Sequence, residues 1–239
     1  VPGMSVDKAY KELIKDSEGQ TVVVAVLDTG IDIKHEDLKG KIWTNKKEIP
    51  GNNIDDDKNG FVDDVYGWNF LGEAYYEQLE LTRLLAKGED FPEKEDAQKD
   101  YNKRLAEARG EETTKYYLNY DFKGRTTGDD PDDFEQTYYG DNKVEHSRED
   151  ESHGTHVAGI IAAARNNNLG MKGVANNVEI MTLRVVPYGD EYDKDVALGI
   201  IYAADNGADI INTSFGKGFS PHSDKVRAVS YTHLTLPTT

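Results

Sequence analysis

Thr21-Val22-Val23-Val24-Ala25-Val26-Leu27 is an unbroken run of β-branched and apolar residues that ends on Asp28-Thr29-Gly30. A run without polar alternation has no face to give to water. It reads as a strand buried on both sides, as strands of parallel sheets are. Asp28 then stands at the carboxyl end of that strand, where open α/β sheets gather their ligands. Two more strands are expected, at Val178–Val186 and Asp209–Thr213. Between them Asp193–Asn206 reads as a helix, with Val196, Ile200, Ala203 and Ala204 in register and Gly207 as the stop. This alternation predicts an α/β fold, a doubly wound and mainly parallel sheet with helices on both faces.

A second stretch, His153-Gly154-Thr155-His156-Val157-Ala158-Gly159, runs on into Ile160-Ile161-Ala162-Ala163-Ala164. Val157, Ile160, Ile161 and Ala164 recur at helical spacing and predict one buried face. His153 and Thr155 fall at the helix start, where backbone N–H groups are unpaired. Gly154 and Gly159 would let another backbone come close. An aspartate that ends a strand and a histidine that opens a helix can meet across a sheet. The carboxylate then fixes the imidazole tautomer, and the other ring nitrogen is left to accept a proton.

Composition narrows the partners. The chain has 239 residues, and 28 Lys and Arg against 45 Asp and Glu give a net charge of −17. So acidic a surface argues against nucleic acid or an anionic membrane as partner, and it suits a protein that carries cations. With no cysteine there is neither a disulfide nor a thiol nucleophile. No apolar run reaches the roughly 20 residues of a membrane span. The first residue is Val1, and no signal peptide precedes the fold, so an internal start is expected.

Asp28-Thr29-Gly30, His153–Gly159 and Ile210-Ile211-Asn212-Thr213-Ser214-Phe215-Gly216 resemble, in order, three signature blocks of the subtilisin-like serine proteases, the subtilases. The resemblance extends over most of Thr21–Ala228. It implies a serine endopeptidase that hydrolyses peptide bonds through an Asp-His-Ser triad, with Asp28 and His153 as two of its members. It also implies that Ser214, Phe215 and Gly216 bind a polypeptide substrate in extended conformation, with Pro187-Tyr188-Gly189 on the opposite wall of the cleft. Ser214 lacks the Gly-Thr-Ser-Met-Ala context of the family's nucleophile. Neither that segment nor an Ala-Ala-Gly-Asn-like oxyanion segment occurs here, so the polypeptide as given is expected to be inactive. His156 is expected to be packed or hydrogen-bonded structure. A monomer in an extracellular or periplasmic setting is what the resemblance implies. Two other functions stay open: a catalytically inactive subtilase-like binding module, and a metal hydrolase using His153, His156 and Asp28. For the second, the His-x-x-His spacing departs from the usual helical His-x-x-x-His pair.

Two segments suggest structural calcium. His35-Glu36-Asp37-Leu38 resembles the family's His-Pro-Asp-Leu segment, which implies Asp37 as a ligand. Its partners would be the Asn167 side chain and the carbonyls of Arg165, Leu169 and Met171, a hard oxygen set. The same residues also suit a helix cap and a plain turn. In Asp55-Asp56-Asp57-Lys58-Asn59-Gly60-Phe61-Val62-Asp63, the residues Asp55, Asp57, Asn59 and Asp63 fall at positions 1, 3, 5 and 9 of a calcium loop. Gly60 takes position 6 and the Phe61 carbonyl position 7, while Tyr66 replaces the bidentate glutamate of position 12, so the match is partial and the same residues also suit an acidic surface turn.

Residues 1–228 read as a partial peptidase domain interrupted by a charged helical insertion over 71–151. Within it, helices are expected at Glu77–Lys87, with Leu81, Leu84 and Leu85 on one face, and at Glu95–Ala108, with Tyr101, Leu105 and Ala108. Gly124–Asp133 is expected to be loop. The insertion could shape substrate access or merely decorate the surface. Ser223–Ala228 begins an amphipathic helix whose periodicity is expected to stop at Val229. The Thr-dense Val229–Thr239 reads as a non-native tail, a translated sequencing adapter.

Overall fold

The computed structural model describes residues 3–15, 17, 19–145, 148 and 151–233. At its centre is β1, Val22–Asp28. It pairs in parallel with β3, Val178–Arg184, on one side and with β4, Ile210–Thr213, on the other. The short β2, Gly67–Asn69, extends the sheet beyond β3, giving the order β2-β3-β1-β4. All pairings are parallel, as an unbroken apolar β1 demands.

The alternation of side chains along β1 divides the core in two. Val24 and Val26 face α4, His153–Ala162, and join Ala158, Ala162, Ile31, Leu38 and Ile180. Ala25 and Leu27 face the other side and join Met181, Leu183, Trp68 and Phe70. That layer is closed by Val196, Ile200 and Ala203 of α5, Asp193–Asp205. Helices therefore cover both faces of the sheet.

Two expectations shift. The buried face of α4 is Gly154, Ala158 and Ala162, with Val157 and Ile161 packed at its flank. Ile160 is 40% exposed, and Ala164 lies beyond the helix end. Small residues let the helix approach the sheet, so its closest line is the least bulky one. Second, the C-terminal helix α6 runs Ser223–His233 without a break at Ala228, because Val226 and Val229 lie one turn apart and both pack on the α5 side of the core. Thr232 and Ser230 hydroxyls donate to carbonyls one turn back, which lets these residues continue a helix. Residues 234–239 of the expected tail lie outside the described residues. At the start of the chain a helical turn, α1 over Val6–Ala9, continues as a wider turn over Tyr10–Ile14.

In the insertion, α2 spans Glu80–Lys87 and α3 spans Lys94–Glu107. They share a small core of Leu81, Ala97 and Leu118. Leu105, expected on the buried face of α3, is 46% exposed. The Gly124–Asp133 loop docks on α5: Arg125 binds Asp129 and Asp195, and Lys194 binds Asp129. Of the described residues, no helix is long and apolar enough to cross a membrane.

Candidate active site

β1 delivers Asp28 to the carboxyl edge of the sheet, and α4 begins at His153 directly above it. His153 Nδ1 lies 2.8 Å from Asp28 Oδ1 and 3.0 Å from Oδ2. The carboxylate is 2% exposed and the imidazole 56% exposed. One end of the pair is therefore fixed in the protein and the other faces water. With Nδ1 donating to the carboxylate, Nε2 is the nitrogen presented outward.

Several bonds hold the two elements in register. Thr29 N–H donates to Asp28 Oδ1, and Gly154 N–H donates to Thr29 Oγ1. Asp32 N–H donates to Thr155 Oγ1. Arg184, at the end of β3, is 1% exposed and anchors the surroundings. It donates to the carbonyls of Thr29, Gly72 and Ala74, to Asn69 Oδ1, and to Glu151 Oε1 at 2.8 Å. Glu151 is fully buried two residues before His153. No local spacing in the sequence singles out Arg184 or Glu151. The one available signal is a charged residue closing the expected strand that starts at Val178.

His156 is exposed, not packed, and borders a cavity of about 590 Å³ with Asp32, His35 and Met171. Among the described residues, His153, His156 and Asp28 form no three-ligand cluster.

Ser214, Phe215 and Gly216 follow β4 directly. Ser214 Oγ accepts from Asn212 Nδ2, and Phe215 leans on the α5 side of the core. A Cβ added at Gly216 would meet nothing within 4 Å, and the residue is exposed. No backbone hydrogen bond ties Phe215 or Gly216 to another described residue.

The two expected cation segments differ. Glu48, Asp55 and Asp57 each place a carboxylate oxygen within 4.8 Å of the others. Glu48 was not singled out in the sequence because it lies before the loop. Burial, with Asp64 and Asp57 nearby, pushes its carboxyl above the usual range despite the backbone N–H groups of Asp57 and Asp56 that it accepts. Asp63 is turned away, accepting from the backbone N–H groups of Gly51, Asn52 and Asn53. Asn59 donates its side-chain amide to Asp64. Its Oδ1 accepts from Phe61 N–H, and the Phe61 ring packs on Trp68 and Tyr202. Three clustered carboxylates fit a hard cation such as calcium.

The Asp37 set fits less well. Asn167 is there, but its Nδ2 faces Asp37 Oδ1 at 2.7 Å while its Oδ1 accepts from Leu169 N–H. Met171 N–H also donates to Asp37. Arg165 sends its guanidinium to Asp7 and the Gly173 carbonyl. A cation here needs the Asn167 amide reversed.

A parallel sheet wrapped on both faces, with a buried aspartate on a strand end gripping a half-exposed histidine at a helix start, defines a doubly wound α/β scaffold that carries an acid–base pair. The subtilase-family model matches residues 19–235, and the chain belongs to the subtilase family. It is 27% identical over 210 residues to subtilisin-like protease 1 of Plasmodium falciparum (isolate 3D7), covering 86% of this chain and 20% of that protein. It is 46% identical over 72 residues to the cell wall-associated protease of Bacillus subtilis (strain 168), covering 30% of this chain and 8% of that protein. It is 50% identical over 66 residues to the thermophilic serine proteinase of Bacillus sp. (strain AK1), covering 27% and 16%. The chain thus spans a fifth or less of the length of these curated relatives.

Proposed function

We propose that this chain carries the acid–base half of a serine endopeptidase. The observation that supports this best is the bond from His153 Nδ1 to the buried Asp28 carboxylate. Asp28 holds the imidazole in the tautomer whose Nε2 can accept a proton. His153 takes the proton of a serine hydroxyl at Nε2 as that oxygen attacks the peptide carbonyl. It then returns the proton to the leaving amine, and Asp28 stabilises the imidazolium in between. The 239 residues contain no Gly-Thr-Ser-Met-Ala segment, so no residue of this chain is proposed as the nucleophilic serine.

The substrate is a polypeptide in extended conformation, laid as an added strand between Ser214–Gly216 and Tyr188–Gly189. The unpaired backbone of Phe215 and Gly216 supports this placement. Glu48, Asp55 and Asp57 hold a calcium ion that stiffens the 45–64 loop and takes no part in the chemistry. An extracellular site of action agrees with the cell-wall association named for one relative.

The test is casein hydrolysis by the full-length gene product. Asp28→Asn should lower kcat by about four orders of magnitude with little change in KM. His153→Ala should do at least as much. Unchanged hydrolysis in either variant would refute the assignment. The 239-residue chain alone should release no peptide.

A further inference from the structure

Pro187–Tyr192 belongs to no strand of the sheet, and it contains Tyr188–Gly189, which the peptide-cleft proposal places opposite Ser214–Gly216. The insertion holds it in place. Glu77 N–H donates to the Tyr188 carbonyl at 2.6 Å, Tyr188 N–H to Tyr75 at 2.8 Å, and Asp190 N–H to Gln78 at 3.3 Å. The rings of Tyr75 and Tyr188 stack at 4.7 Å.

Arg83 of α2 completes the hold, and all five of its N–H donors are used. Nε donates to Glu80 Oε1; Nη1 donates to the carbonyls of Gln78 and Asp190; Nη2 donates to Glu80 Oε2 and the Glu191 carbonyl. A planar guanidinium fixes these acceptors in one geometry.

Lys217 comes from the other side, immediately after Gly216. Its Nζ lies 2.8 Å from Glu80 Oε2, 2.7 Å from the Glu191 carbonyl and 3.0 Å from Asp193 Oδ1. Glu80, Arg83 and Lys217 are all 7% exposed or less. The Glu80 carboxylate is thus shared by the cation that grips one wall and the cation at the root of the other. Burial works against its charge, but Arg83 and Lys217 overcome this and hold its carboxyl below the usual range. Behind the clamp lies a cavity of about 600 Å³, bordered by Glu77, Glu80, Arg83 and Tyr192. Of the wall itself only Tyr192 borders this space, so the clamp residues have open volume on one side while residues 188–191 are held by their bonds to the insertion.

We infer that the insertion sets the width of the substrate cleft, with Glu80 as the positioning residue that couples its two walls through Arg83 and Lys217. This deepens the peptide-cleft proposal above and rests on it. Removing the Glu80 charge leaves Arg83 with Glu77 at 4.0 Å and Lys217 with Asp193 at 3.0 Å, so the two cations no longer share one buried carboxylate, and weakening a buried pair costs far more than weakening a surface one. The wall then loosens while the sheet stays intact.

The test uses the 239-residue chain as wild type, Glu80→Gln and Lys217→Met. Amide hydrogen exchange is read at Glu77, Tyr188 and Asp190 against Val24 and Val26 of β1. Binding of fluorescein-labelled β-casein is read by anisotropy. Either variant should speed exchange at the three wall amides about tenfold or more and leave β1 unchanged. Casein binding should weaken about fivefold or more. Unchanged wall amides, or wall and β1 amides that accelerate together, would overturn the clamp. Local acceleration in a wild-type background that binds no casein supports the clamp and overturns the peptide-cleft proposal instead. Lys217→Met keeps the test open if Glu80→Gln does not fold.

Discussion

Gly154 packs so closely on Gly30 that a Cβ at Gly154 would lie 2.2 Å from the Gly30 carbonyl oxygen and 3.2 Å from the Asp28 Cβ. The helix that carries His153 therefore docks on the loop that carries Asp28 by backbone-to-backbone contact. The 2.8 Å bond between the two side chains depends on that docking.

Gly154→Ala should destabilise the fold by about 2–3 kcal/mol, because the obstructing atom is backbone and cannot rotate aside. Gly159 lies in the same helix, but a Cβ there meets only Met171 Sδ at 3.8 Å. Gly159→Ala should instead stabilise by about 0.5–1 kcal/mol through helix propensity. Urea unfolding of the two variants measures both. Equal effects would contradict the docking geometry.

Calcium should raise the melting temperature, and a chelator should reverse the gain. At about 100 times Kd the stabilisation is about 2.7 kcal/mol for a single site. Glu48→Gln and Asp57→Asn should abolish the calcium response. Asp63→Asn should lower stability equally with and without calcium, since its carboxylate serves the backbone of residues 51–53. A calcium response lost on Asp63→Asn but kept on Glu48→Gln would return the site to the linear loop pattern.

Glu77 should make stability depend on pH. It is 2% exposed, accepts from Tyr192 at 3.3 Å, and has Arg83 no nearer than 4.0 Å. Burial pushes its carboxyl up to about 7, against the pull of Arg83 and Arg125. Between its unfolded value of about 4.3 and that figure, the native state holds a proton that the unfolded chain has released. Stability from this group therefore falls as pH rises through that window, by on the order of 3 kcal/mol, and is level above it. Glu77→Gln should remove this slope and raise stability at pH 8. The measurement is the wild-type minus variant difference in unfolding free energy from pH 5 to 8, which cancels the contributions of other groups. Asp129 shifts the opposite way, to about 2, where burial is outweighed by Arg125 and Lys194; its loss of stability falls below that window.

The strands and helices that frame the site were legible because their signals are local. An unbroken Val22–Leu27 run can only be a doubly covered strand, and Asp28 at its end and His153 at a helix start follow from position alone. The register of α4 was not legible. Apolar periodicity points to Val157, Ile160, Ile161 and Ala164, whereas contact with the sheet selects Gly154, Ala158 and Ala162 for their small size. The acidic loop shows the same limit: spacing picks Asp63, but chain curvature brings in Glu48 and turns Asp63 to the backbone of residues 51–53.

By itself, then, the sequence determined the order of β1, α4, β3, α5 and β4, the two-faced parallel sheet and the pair Asp28 and His153, whereas the short strand Gly67–Asn69 was found only in the fold. These rest on periodicity and on residue types at element ends, which act over a few neighbouring positions. Only the tertiary structure decided that Arg184 anchors Glu151, that Glu80 serves both Arg83 and Lys217, and that the insertion grips residues 188–191. Those partners lie 33, 3, 137 and about 110 positions apart. A buried charge takes whichever counter-charge the packed backbone brings within reach, and apart from the Glu80–Arg83 pair within one helix, that distance is not recorded in any local stretch of the chain.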